Sequence, residues 1–183
     1  MLKKYLKHLA TAFVVVTVAS MAPSCNSDEN ETSWKAYKDW RELNRNWLVD
    51  ETTRTNPDGT AYYTTCVMPT DPEAFVLMHR IGDEHKENLQ PLFTSATKVN
   101  YTLRLCNDTI VDRGAGFVSQ LSSQGLITGW SLAVMQLHVG DSARFIIPYN
   151  IGYGTSGSTM VPPYSNLQFD IRLVDITAYE IKP

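Results

Sequence analysis

Apolar and polar residues alternate with a period of two in several stretches of the chain, and each stretch predicts a half-buried strand. The cleanest sets Leu167, Phe169, Ile171 and Leu173 against Gln168, Asp170 and Arg172. Another sets Val99, Tyr101, Leu103 and Leu105 against Asn100, Thr102 and Arg104. Residues 75–80 and 142–148 read as two further strands, the second with Phe145 and Ile147 on one side. Asn107-Asp108 carries turn chemistry, after which 109–112 resumes an extended pattern. Residues 62–67 are a shorter candidate, between the strong turn Asn56-Pro-Asp-Gly59 and the breakers Pro69 and Pro72.

Two stretches carry helical spacing instead. Trp34, Tyr37, Trp40, Leu43 and Trp47 recur every three or four residues, with Lys35, Lys38, Asp39, Arg41, Glu42 and Arg45 on the other face. This predicts a helix over 33–48, N-capped by Thr32 or Ser33. So rich an aromatic stripe needs a cover. The alternatives are its own chain, a second copy in a homodimer through Trp34, Tyr37, Trp40 and Trp47, or a client polypeptide. Trp130, Ala133, Val134, Leu137 and His138 predict a second, shorter helix over 129–139, ended by Gly140. Many strands and one short helix in the C-terminal hundred residues imply an α+β domain, a mostly antiparallel sheet packed on that helix.

Length and charge then bound the function. The 183 residues suit one or two small domains, and 43% hydrophobic with 19% charged residues is a globular composition. Net charge is −3, but Lys3, Lys4 and Lys7 precede the first acid, Asp28. Beyond residue 24, thirteen basic residues face nineteen acidic ones, a balance of −6 that excludes sequence-independent nucleic-acid binding as a main role.

Those three lysines form a basic n-region before the apolar run of residues 10–19, which is too short for a span of about 20 residues. Met21-Ala-Pro-Ser-Cys25 follows and resembles a bacterial lipobox, which would make Cys25 the lipidated first residue. An ordinary cleaved signal peptide and an uncleaved anchor are the alternatives. Residues 26–32 are polar and acidic and read as a tether, similar to the surface-export signals of Bacteroidetes lipoproteins. The expected organisation is a signal peptide over 1–24, a tether over 25–32, a helical segment and linker over 33–72, and a strand-rich domain over 73–183. The expected location is the cell envelope, lipid-anchored at the periplasmic face or cell surface of the outer membrane.

An ordered series of motifs from about 75 to 176 resembles the FKBP-type peptidyl-prolyl cis-trans isomerases. Val99-Asn-Tyr101-Thr looks like the family's V-x-Y-T strand, and Val111-Asp112 takes the place of its F-D. Leu126-Ile-Thr-Gly-Trp130 looks like V-I-x-G-W, and Met135 through Gly140 resembles M-x-V-G, followed by Ala143-Arg-Phe-Ile-Ile-Pro148. Tyr153-Gly154, Val161-Pro-Pro163 and Leu167 through Leu173 complete the series. The resemblance implies a twisted antiparallel sheet wrapped around one short helix, with a hydrophobic pocket that accepts a prolyl ring. It implies Trp130 as the indole floor, Tyr101, Phe117 and Phe169 as aromatic walls, and Leu126, Ile127 and Val161 as aliphatic walls. Val111 forms a further wall and Met160 stands at the rim. Tyr153 matches the hydroxyl that bonds a substrate carbonyl. Asp112 matches the pocket carboxylate, which either faces the amide carbonyl carbon or fixes neighbouring hydroxyls.

Rotation about an Xaa–Pro amide breaks resonance over a barrier of about 18–20 kcal/mol, and no bond is made or cut. Such chemistry requires neither nucleophile, metal nor cofactor. An apolar pocket favours the twisted amide, whose carbonyl is less polar, over the hydrated planar one. Partners are then proline-containing polypeptides, in this setting exported ones. The alternative is a non-catalytic binding or chaperone module on the same fold. Read alone, Tyr101, Trp130 and Phe169 are equally core residues, Tyr153 between glycines a loop anchor, and Asp112 a surface ion-pair partner. His8, His79, His85 and His138 show no metal spacing among themselves or with Cys66 and Cys106, and no phosphate loop or nucleophile elbow appears. Cys66 and Cys106 could pair outside the cytoplasm.

Overall fold

The structure, a computed structural model, describes residues 27–180. Cys25 and the stretch read from sequence as an export signal lie outside them. Among the described residues no helix is long and apolar enough to cross a membrane.

Six strands form one antiparallel sheet: β1 (Thr64–Met68), β2 (Asp71–Ile81), β3 (Ala96–Leu105), β4 (Ile110–Gln120), β5 (Ser142–Ile147) and β6 (Leu167–Ala178). Their order is β1-β2-β5-β6-β3-β4. The period-two runs behave as expected: Leu167, Phe169, Ile171 and Leu173 of β6 are all buried, as are Val99, Leu103 and Leu105 of β3. The strand expected over 62–67 is β1, and it pairs with β2 across residue 72. β4 runs eight residues past the 109–112 stretch read from sequence, through Gly114 and Gly116, which carry no strand signal. Gly114 sits opposite Tyr101, where a Cβ would collide with the tyrosine ring. The strand is therefore held by its partner's side chain rather than by its own propensity.

The short helix expected in the strand-rich domain is the third in chain order. It follows α1 (Ser27–Ala36) and α2 (Lys38–Thr53), and is α3 (Thr128–Val134). Its residues Gly129–Val134 are buried on every side, as an apolar helix inside a core must be. A Cβ at Gly129 would collide with the Ile147 side chain, so glycine there lets α3 lie directly on β5. The helix expected to reach residue 139 ends at Val134. The chain tightens instead, with the Leu137 N–H donating to the Val134 carbonyl three residues back at 3.1 Å. Leu137 is still fully buried, so its apolar spacing is satisfied without a helix.

The tight connection is fixed by Asp141, which is completely buried. It accepts hydrogen bonds from Arg80 Nη1 (2.6 Å), the His85 N–H (2.8 Å) and the His138 N–H (2.9 Å), and His85 Nδ1 lies at 3.0 Å. Burial alone would raise the Asp141 pKa. The His138 and His85 hydrogen bonds and the Arg80 charge overcome it and hold the carboxyl well below the usual carboxylate range.

The N-terminal helix departs from expectation at both ends. It starts at Ser27, so Thr32 and Ser33 lie inside it rather than capping it, and residues 27–32 are helical rather than only a tether. It breaks at Tyr37 and resumes to Thr53. The aromatic stripe docks on its own chain through Trp40 and Trp47, while Trp34 and Leu43 remain about half exposed (51% and 46%). Polar contacts set the docking. Asn44, 2% exposed, accepts the Asn166 N–H at Oδ1 (2.8 Å) and gives its carbonyl to Asn166 Nδ2 (2.7 Å). Trp40 Nε1 donates to Ser165 Oγ at 3.0 Å. Trp47 and Leu48 pack on Tyr63, Leu77 and Ile146. Leu77 and Ile146 are cross-strand partners whose side chains point to the sheet face opposite Val76 and Phe145, so β2 and β5 are covered on both faces.

Asn44→Ala is expected to lower stability by about 1–3 kcal/mol, because the buried Asn166 N–H loses its acceptor. Urea unfolding of the two proteins checks it.

Cys66 and Cys106 are both free thiols. Cys66 lies on edge strand β1, and Cys106 follows β3, four strand positions away in the sheet. At about 4.8 Å per strand that is roughly 19 Å along the sheet, far beyond disulfide reach. Burial, the largest cause, pushes the Cys106 thiol up to about 11, further from the reactive thiolate.

Candidate proline-binding site

The rings that alternate along β3 and β6 converge with the first turn of α3. Tyr101 pairs with Ile171 across to β6, and Leu103 pairs with Phe169, so Tyr101 and Phe169 emerge side by side on one face. Trp130 stands edge-on to both, with ring centroids 5.2 Å from Tyr101 and 5.3 Å from Phe169. Phe117 of β4 closes a third side, 5.7 Å from Tyr101 and 6.0 Å from Trp130. These edge-to-face contacts fix each ring by its neighbours.

The rings enclose a cavity of about 80 Å³, lined also by Leu103, Asp112, Gly125, Leu126, Ile127 and Tyr153. Trp130 and Phe169 are each 3% exposed and form the floor, while Phe117 and Tyr153, at 38% and 36%, stand at the mouth. Trp130 Nε1 is buried without an acceptor among the described residues.

One carboxylate sits on the wall. Asp112 Oδ2 accepts the Tyr101 hydroxyl at 2.6 Å, and its Oδ1 accepts the Arg113 N–H at 2.7 Å. Burial, then the Asp112 hydrogen bond and charge, push the Tyr101 hydroxyl well above an ordinary tyrosine. Burial and the Asp112 charge push Tyr153 the same way. Both phenols therefore keep their protons at neutral pH and serve as donors. Tyr101 spends its proton on Asp112. The Tyr153 hydroxyl has no hydrogen-bond partner among the described residues, so its donor is open at the mouth.

Of the residues singled out from sequence, Asp112, Tyr153, Trp130, Phe169, Tyr101, Phe117, Leu126 and Ile127 meet around this cavity. Val111, Met160 and Val161 lie outside its lining. Val161 is 3% exposed and belongs to the main core, Val111 packs against that core, and Met160 is 58% exposed. Leu103 and Gly125 line the cavity without having been singled out. Leu103 was within reach of sequence reasoning, because it follows Tyr101 by two positions and so shares its face.

A site of this kind, apolar rings at the base with one open hydroxyl donor and one carboxylate at the wall, suits a compact apolar ring flanked by carbonyl groups. Residues 91–174 match the family of FKBP-type peptidyl-prolyl cis-trans isomerases. The chain is 38% identical over 89 residues to a macrophage infectivity potentiator of Trypanosoma cruzi, covering 47% of this chain and 45% of that protein. It is 37% identical over 83 residues to a peptidyl-prolyl cis-trans isomerase of Schizosaccharomyces pombe, covering 43% of this chain and 74% of the relative. A solved structure of a peptidyl-prolyl cis-trans isomerase from Pseudomonas syringae superposes with a TM-score of 0.60 at 22% identity, over 80% of this chain and 95% of that one, which establishes likeness of fold. The chain belongs to the FKBP-type peptidyl-prolyl cis-trans isomerase family. It spans about half the length of the T. cruzi relative.

Proposed function

We propose that this chain accelerates cis–trans isomerisation of Xaa–Pro bonds. The observation that carries the reading is the ring-lined cavity with the Tyr153 hydroxyl unspent at its mouth. The prolyl ring packs on Trp130 between Tyr101 and Phe169. Moving the amide out of water removes the hydration that favours its planar, polar form, which lowers the cost of twisting. The Tyr153 hydroxyl donates to a substrate carbonyl and holds the peptide while the amide turns. Asp112, tied to Tyr101 and the Arg113 N–H, keeps the Tyr101 ring in place and presents a negative wall to the carbonyl carbon. The chain has to remove only part of the barrier, since each 1.36 kcal/mol is a tenfold gain in rate.

A protease-coupled assay on short Xaa–Pro peptides with the purified full chain tests this. Acceleration is expected. A folded chain that binds proline peptides and never exceeds the spontaneous rate is the non-catalytic module instead. Tyr153→Phe keeps the ring and removes one neutral hydrogen bond, worth about 0.5–1.5 kcal/mol. It should lower kcat/KM by about two- to tenfold while circular dichroism and the unfolding midpoint stay unchanged.

We propose further that the clients are exported polypeptides and that Cys25 carries a lipid anchor in the cell envelope. The support is the run of Lys3, Lys4 and Lys7, the apolar stretch 10–19 and Ser24-Cys25. Mass spectrometry of membrane-extracted protein should find a diacylglyceryl group on Cys25, and an intact residue 1 would contradict it. A homodimer through Trp34, Tyr37, Trp40 and Trp47 is the weaker extension, since Trp40 and Trp47 already pack within the chain.

A further inference from the structure

A second concavity, of about 530 Å³, opens between the N-terminal helices and the stretch 149–166. Trp34, three basic residues, Lys38, Arg41 and Arg45, and one acid, Glu42, line it from the helices, and Tyr149 and Tyr164 from the other wall. An adjoining hollow of about 460 Å³ shares Trp34, Tyr149 and Tyr164. The helical wall lies outside the family match, which begins at residue 91.

The wall is basic in a chain whose balance beyond residue 24 is −6. Lys38, Arg41 and Arg45 follow at i, i+3 and i+7, so they share one face of α2. Arg45 has only a loose, exposed pairing with Glu42 at 3.6 Å, of the kind that contributes little. Lys38 and Arg41 have no carboxylate partner among the described residues. Arg41 is nevertheless held in place: its guanidinium lies 3.0 Å from the Trp34 ring centroid and 5.5 Å from that of Tyr164. Its Nη2 donates to the Trp34 carbonyl at 2.8 Å, and its Nε is buried with no acceptor among the described residues. A fixed, un-neutralised guanidinium against two aromatic rings suits a ligand that brings both a carboxylate and an apolar side chain.

The groove also adjoins the proline site. Tyr149 of the groove and Tyr153 of the cavity belong to one tight turn, closed by the Gly154 N–H donating to the Tyr149 carbonyl at 2.9 Å. Both sites are thus bordered by the same turn, and a few residues of extended polypeptide, at about 3.4 Å each, lead from one to the other. We infer that the groove holds an acidic, aromatic-containing stretch of the same polypeptide whose Xaa–Pro bond occupies the cavity. The pairing with the cavity rests on the isomerase reading above, whereas the groove itself does not.

Two measurements test it on the full chain. Fluorescence anisotropy follows a labelled proline-free peptide of alternating Asp, Glu and Phe, with a Lys and Phe peptide as control. The acidic peptide should bind and the basic one should not. Binding should weaken about tenfold in 0.5 M salt and about tenfold in the double variant Lys38→Glu, Arg45→Glu, whose changes are on exposed side chains. Equal binding of both peptides, or indifference of the double variant, overturns the inference. So does a double variant that changes the sedimentation of the chain, since a second copy would then fill the groove. The other measurement compares a short Xaa–Pro peptide with one extended by the acidic stretch on either side of the proline. The extended peptide should show a KM about tenfold lower, an advantage lost in the double variant while the short peptide is unaffected. Acidic-peptide binding with no isomerisation of any peptide would refute the isomerase reading and leave the groove standing. Normal isomerisation with no acidic preference would refute the groove and leave the enzyme.

Discussion

Trp130→Ala is expected to destabilise the fold by about 3–5 kcal/mol, the cost of deleting a large buried aromatic, and to abolish acceleration of Xaa–Pro exchange. Both effects share a cause. Trp130 is the floor of the cavity and also a member of the main core, in edge contact with Tyr101, Phe117 and Phe169. Without it the three rings lose the surface that fixes their spacing, so the walls go with the floor. Lost activity in this variant alone would not separate the two roles. Trp130→Phe does, because it keeps a ring and gives up an N–H that has no acceptor among the described residues. It should retain most of the stability, with a reduced rate where the smaller floor no longer spans the prolyl ring. Chemical unfolding measured beside the isomerase assay checks both variants.

Asp141→Ala should cost a comparable amount, about 3 kcal/mol, near the lower end for breaking a buried charge pair. The lower end applies because Arg80 keeps a second partner, Glu84 at 3.0 Å. The variant leaves the His85 and His138 N–H groups without their acceptor and loosens the connection from α3 into β5. The same residue sets an acid limb. The folded carboxyl titrates below its unfolded value of about 3.9, so its contribution is complete only from about one pH unit above that value. It fades as pH falls from about 5 through the carboxylate range and below. Wild-type stability should decline over that window, and Asp141→Asn should flatten the decline. A decline of equal depth in the variant would place the acid sensitivity elsewhere.

The sheet was legible where strands alternate cleanly. β3 and β6 are central, with one face on the core, and their sequences repeat every second residue in consequence. β4 was legible only at its start, because Gly114 and Gly116 serve Tyr101 and the local bulges rather than a pattern. The aromatic stripe predicted a helix and its docking. It could not show that Asn44, a polar residue, occupies the most buried position while Leu43 faces solvent, since the Asn44–Asn166 contact joins residues 122 positions apart. At the site, the motif order placed eight residues around the cavity. It could not separate Val161, which faces the core, from Ile127, which faces the cavity, because both are aliphatic and stand in irregular segments. Asp141 is not legible as a structural hub because its partners Arg80 and His85 lie more than fifty residues away in sequence.

The most direct test of the account is magnetisation-exchange NMR on a short Xaa–Pro peptide, read for cis–trans exchange with catalytic amounts of the full chain. Exchange faster than the spontaneous rate, reduced about two- to tenfold by Tyr153→Phe at unchanged fold, is the predicted result. Exchange at the spontaneous rate, with folded wild-type protein and saturating peptide, would contradict it.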